Sequence, residues 1–269
     1  MRLHIMGSAA AEGWPAVWCR CDACARARRA GGKNVRTRSG ALVDGQFKFD
    51  LPSDTYLQAL RDGIDLSDVT HLLFTHTHRD HYYPGELAFR KPPFAHGYGP
   101  LHVWGDQWAI DGVRTQCPDW PEPEQTLHVL TPGELVQVGD AEVMALVAAH
   151  YPERICYNYI FRRNGKTLLY GQDSGWFPDA HWEAQQRFRF DIVVIDCTAG
   201  GKPAGKVHGN LQTAIDVKAR MLAMGTAHAE TVFIANHFSH NGGLLHEEIV
   251  ERLAPHGIQT SYDGMIVEV

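Results

Sequence analysis

The sequence predicts an α/β fold. Three observations point to it. Short apolar runs of strand length alternate with stretches of helical periodicity along the whole chain. An Asn164-Gly165 pair between two alternating segments is a strong hairpin signal. Polar residues with ligand chemistry recur where the apolar runs end. At 269 residues and 44% hydrophobic content, the chain can bury one large core or two small ones. No linker, internal repeat or low-complexity segment divides it, so residues 1–269 are read as a single domain.

The elements follow in order. Strands are expected at 3–6, 41–43, 47–49 and 69–74, with a helix near 54–62. A strand at 101–104 leads into a helix from Asp106, and the Pro-rich patch 117–123 reads as a loop before a strand at 126–130. The run 141–149 is almost wholly apolar and ends at His150. The hairpin strands are 157–162 and 166–170, and a helix is expected over 178–188. Residues 191–196 (Asp-Ile-Val-Val-Ile-Asp) read as a buried strand and 211–224 as an amphipathic helix. A strand at 231–235, a helix at 244–253 and a strand at 265–269 finish the chain. Periodicity alone supports the α/β class and nothing finer.

The segment His76-Thr77-His78-Arg79-Asp80-His81 follows the strand at 69–74 directly. Four potential metal ligands within six residues, of mixed nitrogen and oxygen type, suggest two adjacent cations sharing the segment. Alternation along an extended chain would place His76, His78 and Asp80 on one side, with a local bend needed for His81.

His-x-His-x-Asp-His after a buried strand resembles the signature of the metallo-β-lactamase superfamily. The resemblance implies a four-layer αββα sandwich and further ligands at later strand ends. One metal would take His76 and His78 with a third histidine, for which His150 stands in the matching place. The second would take Asp80 and His81 with a last histidine, matched by His237 after the strand at 231–235. The bridging carboxylate would be Asp173, delivered by the second hairpin strand in Gly171-Gln172-Asp173-Ser174-Gly175. The β-lactamases of the superfamily generally have cysteine at that position, so this chain looks unlike a drug-resistance enzyme.

Cys19-Arg20-Cys21-Asp22-Ala23-Cys24 places three of the chain's six cysteines together. Cys-x-Cys pairs make strained disulfides, and an odd number leaves one thiol over. A tetrahedral structural zinc with three thiolates and one histidine accounts for all three. His240, three residues beyond His237, suits the fourth place, although spacing alone does not select it among sixteen histidines. The resemblance narrows the choice. A branch of the superfamily similar to the carbon–phosphorus lyase accessory phosphodiesterase carries Cys-x-Cys-x-x-Cys near its N-terminus and takes its fourth zinc ligand three residues after the last catalytic histidine. Such a zinc would pin the N-terminal loop to the C-terminal catalytic loop. Cys156 and Cys197, in apolar strand-like surroundings, read as ordinary buried residues, and Cys117 is assigned nothing.

Residues 198–210 form a Gly-rich loop at a strand end. In phosphodiesterases of the resembled branch a histidine in this loop contacts phosphate or acts as a general acid, which implies such a role for His208. Lys202 and Lys206 read as mobile surface lysines, and Arg36 and Arg38 are equally suited to phosphate or to buried acids. Tyr82, Tyr83, Trp14 and Trp176 lie near the motifs and are available to stack on a base or sugar. Gly85-Glu86-Leu87 arrives one residue later than the Gly-Leu pair common in the superfamily, which bears on the pocket wall and the substrate.

The implied activity is that of a two-metal hydrolase, a phosphodiesterase on small cyclic or nucleotide-like substrates. A metal-bridging hydroxide would be the nucleophile, with Asp80 orienting it and His208 protonating the departing oxygen. The catalytic pair would be zinc, manganese or iron. The alternatives are a thioester or lactone hydrolase on the same site, a non-catalytic cofactor-biosynthesis accessory protein, and a transfer-RNA 3′-processing nuclease. The last normally carries a basic arm that is not seen here. A net charge of −6 disfavours broad duplex binding. The N-terminus lacks a signal-peptide apolar region and no run has membrane-span length, so a cytoplasmic location with reduced thiols is expected. Homodimer formation is left open.

Overall fold

A computed structural model describes residues 1–119 and 126–269 of the chain. Its strands are β1 (Arg2–Gly7), β2 (Gly40–Val43), β3 (Phe47–Phe49), β4 (His71–Leu73), β5 (His102–Gly105), β6 (Leu127–Val129), β7 (Leu135–Val138), β8 (Ala141–Val147), β9 (Tyr157–Arg163), β10 (Lys166–Gly171), β11 (Ile192–Asp196), β12 (Val232–Asn236), β13 (Ile258–Thr260) and β14 (Met265–Glu268). The α-helices are α1 (Asp22–Ala30), α2 (Thr55–Asp62), α3 (Gln107–Gln116), α4 (Asp179–Gln185), α5 (Leu211–Ala223) and α6 (His246–Leu253).

The strands build two seven-stranded sheets, ordered β14-β1-β2-β3-β4-β5-β6 and β13-β12-β11-β10-β9-β8-β7. Each is antiparallel in one half and parallel in the other, with β3 to β6 parallel in the first sheet and β10 to β13 parallel in the second. The sheets face each other across a core that includes Ile5, Phe47 and Phe49 from one and Val143, Tyr159 and Tyr170 from the other. On the outer face of the second sheet, Met144, Ile160 and Val193 pack against Ala27, Trp182, Val217 and Leu253 of α1, α4, α5 and α6. On the outer face of the first, Met6, Leu72 and Phe74 pack against Ile110 and Val113 of α3. The result is an αββα sandwich. Strand β8 shows why the run at 141–149 is almost wholly apolar. Val143 and Ala145 enter the inter-sheet core, and Met144 and Leu146 meet the helices, so both faces demand apolar side chains.

Differences from expectation lie at element edges and in short elements. The strand expected over 69–74 contracts to three residues. Val69 belongs to a 3₁₀ turn, its N–H bonded to Leu66 O, and the Thr75 N–H turns away from the ladder to the Asp50 carboxylate at 2.8 Å. Helix α1 forms within the cysteine segment, and strands β7 and β13 add one edge each side of the second sheet. Residues 120–123 of the Pro-rich patch lie outside the described residues; Cys117 is buried and donates its thiol proton to Pro84 O. No helix among the described residues is long and apolar enough to cross a membrane.

Strands β8, β10, β11 and β12 run in one direction, as do β3 and β4. Their C-terminal ends carry the loops that hold His150, Asp173, Asp196 and His237, and Asp50 and His76, respectively. Ligand sites in open α/β sheets form at such carboxyl ends.

Candidate metal centre

The chain turns immediately after β4. The His81 and Tyr82 N–H groups both donate to His78 O, at 3.0 and 2.9 Å. The segment is therefore a turn, not an extended strand, and the expected alternation does not hold. His76 and His78 project into one cluster, and Asp80 goes with His81 into another.

The first cluster joins His76, His78, His150 and Asp173. His76 Nε2 and His150 Nε2 each lie 2.9 Å from His78 Nδ1, and Asp173 Oδ2 is 3.3 Å from His76 Nε2 and 3.5 Å from His150 Nε2. The second joins Asp80, His81, Asp173 and His237. Here Asp80 Oδ2 is 3.3 Å from His81 Nε2 and 3.4 Å from His237 Nε2, and Asp173 Oδ2 is 3.2 Å from His81 Nε2. Asp173 belongs to both clusters.

Hydrogen bonds outside the clusters set the histidine tautomers. The His81 Nδ1–H donates to the Asp50 carboxylate at 2.7 Å, in full burial. The His150 Nδ1–H donates to Val207 O at 3.2 Å. His76 Nδ1 and His237 Nδ1 pair with the hydroxyls of Thr75 at 3.0 Å and Thr198 at 2.7 Å. For His81 and His150, a neutral ring donating from Nδ1 turns its Nε2 lone pair inward, the form a cation requires. Asp173 Oδ1 is buried and accepts no hydrogen bond, although His237 Nε2 lies 2.8 Å away. Converging imidazole lone pairs and a carboxylate oxygen with no donor form a set that fits two divalent cations. Burial alone would raise the Asp80 and Asp173 carboxyls, but the surrounding histidines hold both well below the usual carboxylate range. Asp50, Asp173 and His237 all have positive φ, at 58°, 49° and 63°, so the site sits on backbone that the surrounding packing holds in a sparsely populated region.

His208 lies beside the clusters, its ring centroid 4.7 Å from that of His150. Its Nδ1–H donates to Asp196 Oδ2 at 2.7 Å. Burial pushes its pKa down, and the Asp196 charge more than offsets this, leaving it raised. The Thr198 hydroxyl stands between His208 Nδ1, at 3.2 Å, and His237 Nδ1. Gly175 allows the Asp173 loop to close on this segment, since a Cβ there would fall 2.2 Å from Lys206 O. Asp50, Thr75, Asp196 and Thr198 were not anticipated; the only hint was that Asp50 and Asp196 end apolar strands.

Other candidates are placed as follows. Arg36 is buried away from the clusters and donates to Ser8 Oγ at 2.8 Å and to Ser261 O at 2.7 Å. Arg38 pairs with Asp54 at 2.9 Å. Lys202 and Lys206 are exposed. Trp14 is buried in the core, which removes it from any stacking role, whereas Tyr83 and Trp176 are exposed.

The thiols of Cys19, Cys21 and Cys24 and the His240 ring form a separate cluster. Cys19 Sγ and Cys21 Sγ lie 3.8 and 3.3 Å from His240 Nδ1, and His240 Nε2 faces Glu12 at 3.4 Å. Cys21 caps α1, and the Cys24 N–H at the helix start lowers its thiol pKa to about 6. All six cysteines are free thiols. Four soft and borderline donors in this arrangement fit a tetrahedral zinc.

A family model described as a beta-lactamase superfamily domain matches residues 42–234. Among solved structures, a diphosphatase from the PhnP family superposes with a TM-score of 0.74 at 22% identity, covering 100% of this chain and 97% of that one. Zn(2+)-bound PqqB from Methylobacterium extorquens superposes with a TM-score of 0.73 at 17% identity, covering 100% of both chains. The short form of human tRNase Z gives 0.66 at 17% identity, covering 100% of this chain and 99% of that one. A search of curated proteins finds no match.

Proposed function

The chain belongs to the β-lactamase superfamily and has the fold of its metal-dependent hydrolases, and from that premise we propose that it is a binuclear phosphodiesterase acting on small, cyclic or nucleotide-like phosphodiesters. The observation that carries this reading is Asp173, one buried carboxylate shared by two ligand sets. His76, His78 and His150 would hold one cation, Asp80, His81 and His237 the other, with Asp173 between them. Zinc, manganese or iron suits these donors. When bound, such a pair supplies a water of lowered pKa and neutralises charge on the phosphoryl oxygens.

The chain's own groups complete the reaction. Asp80 is buried and ionised, which suits it to orient the attacking water as well as to hold metal. Asp196 accepts the His208 Nδ1–H and its charge raises the His208 pKa, which favours the imidazolium, whose Nε2–H would supply the proton for the departing oxygen. The cysteine cluster with His240 would hold one structural zinc that fastens α1 to the loop after β12 and takes no part in the chemistry.

Hydrolysis of bis(p-nitrophenyl) phosphate by protein loaded with zinc, manganese or iron tests the proposal. Turnover is expected with at least one metal, and Asp80→Ala should lower kcat by at least about 100-fold. No turnover with any of the three metals would overturn the phosphodiesterase reading and direct attention to thioesters and lactones.

A further inference from the structure

A groove of about 620 Å³ opens directly beside His150 and is bordered by Trp108, Val147, Ile155 and Val207. These four apolar side chains are 59, 45, 43 and 39% exposed and come from α3, the end of β8 and two different loops. Exposed apolar groups gathered into a concavity beside reactive groups mark a ligand surface better than the same groups scattered singly. Charged side chains, including Glu153 and Lys206, also border this groove.

A ridge separates it from a second cleft. The Arg154 guanidinium lies over the Trp108 ring, 4.8 Å from its centroid, and donates to Thr77 Oγ1 at 3.1 Å. Arg154 is thereby tied to the turn that carries His76 and His78. Beyond the ridge, the second cleft, about 940 Å³, is bordered by Arg38, Arg79 and Tyr83. Both spaces reach residues of the metal-ligand segments: His150 on one side, Thr77 and Arg79 on the other.

We propose that the groove beside His150 is a specificity subsite for an apolar arm of the substrate, so that the enzyme prefers phosphodiesters with one alkyl substituent lying against Trp108, Val147 and Ile155. This rests on the phosphodiesterase reading and specifies its substrate class. The ridge of Trp108 and Arg154 sorts the two arms of the diester, the apolar one to the His150 side and the polar one to the arginine side. Ile155 touches no metal-ligand residue by hydrogen bond or ion pair and serves only to recognise the arm.

The test compares methyl and octyl p-nitrophenyl phosphate with the metal-loaded protein, together with calorimetric binding of methyl and octyl phosphate below their aggregation limits. Lengthening the chain adds methylenes for burial, and kcat/KM should rise at least about 10-fold, mostly through KM, with octyl phosphate binding tighter by a similar factor. Ile155→Asp should abolish both gains, and Ile155→Leu should keep them. If both esters turn over equally well, the subsite inference falls and the phosphodiesterase reading stands. If neither ester turns over, the binding data decide: a chain-length preference lost in Ile155→Asp upholds the groove and removes the phosphodiesterase reading, and equal binding overturns the groove as well.

Discussion

Asp50 shows how much of the centre depends on residues that touch no metal. Its carboxylate receives the His81 Nδ1–H at 2.7 Å and the Thr75 N–H at 2.8 Å, so it orients one imidazole and bends the ligand turn away from the sheet. Partners of this kind change metal affinity by about 10–100-fold when mutated. Asp50→Asn keeps the size and removes the charge. Titration against a competing chelator should show the second-cluster cation weakened by about that factor, with helix and sheet content unchanged by circular dichroism. Affinity equal to the wild type would mean that His81 is oriented by packing alone. The seven residues of the two clusters were legible in the sequence because the His76–His81 motif resembles that of the metallo-β-lactamase superfamily, and the resemblance implies which later strand ends should carry ligands. Asp50, Thr75, Asp196 and Thr198 were not, because their role depends on which strand lies beside which. Trp108 and Arg154 were hidden for the same reason: 46 positions separate them, and only the fold stacks one on the other.

At the scale of elements, the strands that cross both cores were readable from composition, since a strand buried on two faces is apolar throughout. The weaker ones were not. Strand β13 has three residues and β7 alternates around an exposed Gln137, so neither stands out from a loop. Helix α1 was masked because Cys24 within it and Cys21 at its cap suggested ligation before they suggested a helix. The loops at the strand ends are coupled through close backbone approach. The Gly175 N–H bonds Ala149 O at 3.0 Å, and the missing Cβ admits Lys206 O, so one glycine joins the His150, Asp173 and His208 segments. Gly175→Val should push residues 206–208 outward. Activity is expected to fall at least about 10-fold while catalytic-metal content, read by elemental analysis, stays at the wild-type level. Loss of metal in parallel with activity would show that the displacement spreads to Asp173 instead.

Across the whole molecule, stability is linked to pH through a buried histidine outside the two ligand clusters. His181 is 2% exposed, stacked on Phe177 at 4.2 Å, and accepts a hydrogen bond from Gln185 Nε2 at 2.8 Å. Burial lowers its pKa to about 3. The folded value lies below the unfolded one of about 6.5, so the unfolded chain binds the extra proton as pH falls from about 7 towards 3, and stability is lost across that window. Between pH 7 and 5.5 this one group should remove about 1 kcal/mol. Denaturant unfolding at both pH values should show His181→Leu losing less than the wild type by that amount. An identical pH dependence in the two proteins would mean that His181 becomes charged without unfolding.

The cysteine cluster has a consequence for the chain as a polymer. Cys19 and His240 are 221 residues apart, so a zinc held between them closes a loop that spans most of the molecule. Loop-closure entropy grows only slowly with length, but a clasp at this position removes freedom from nearly the whole unfolded ensemble at once. Its release would also be local in the native state. Residues 8–38 reach the second sheet by way of Phe238, the cluster and the small apolar face of α1 around Ala27, with the Ala10 N–H bonded to Phe238 O at 3.0 Å, so without the clasp this segment would open before either sheet does. Amide hydrogen exchange on protein carrying Cys21→Ser should therefore quicken over 8–38 and leave β8 to β12 protected. Uniform acceleration across the molecule would instead show that the clasp and the two sheets melt as one cooperative unit.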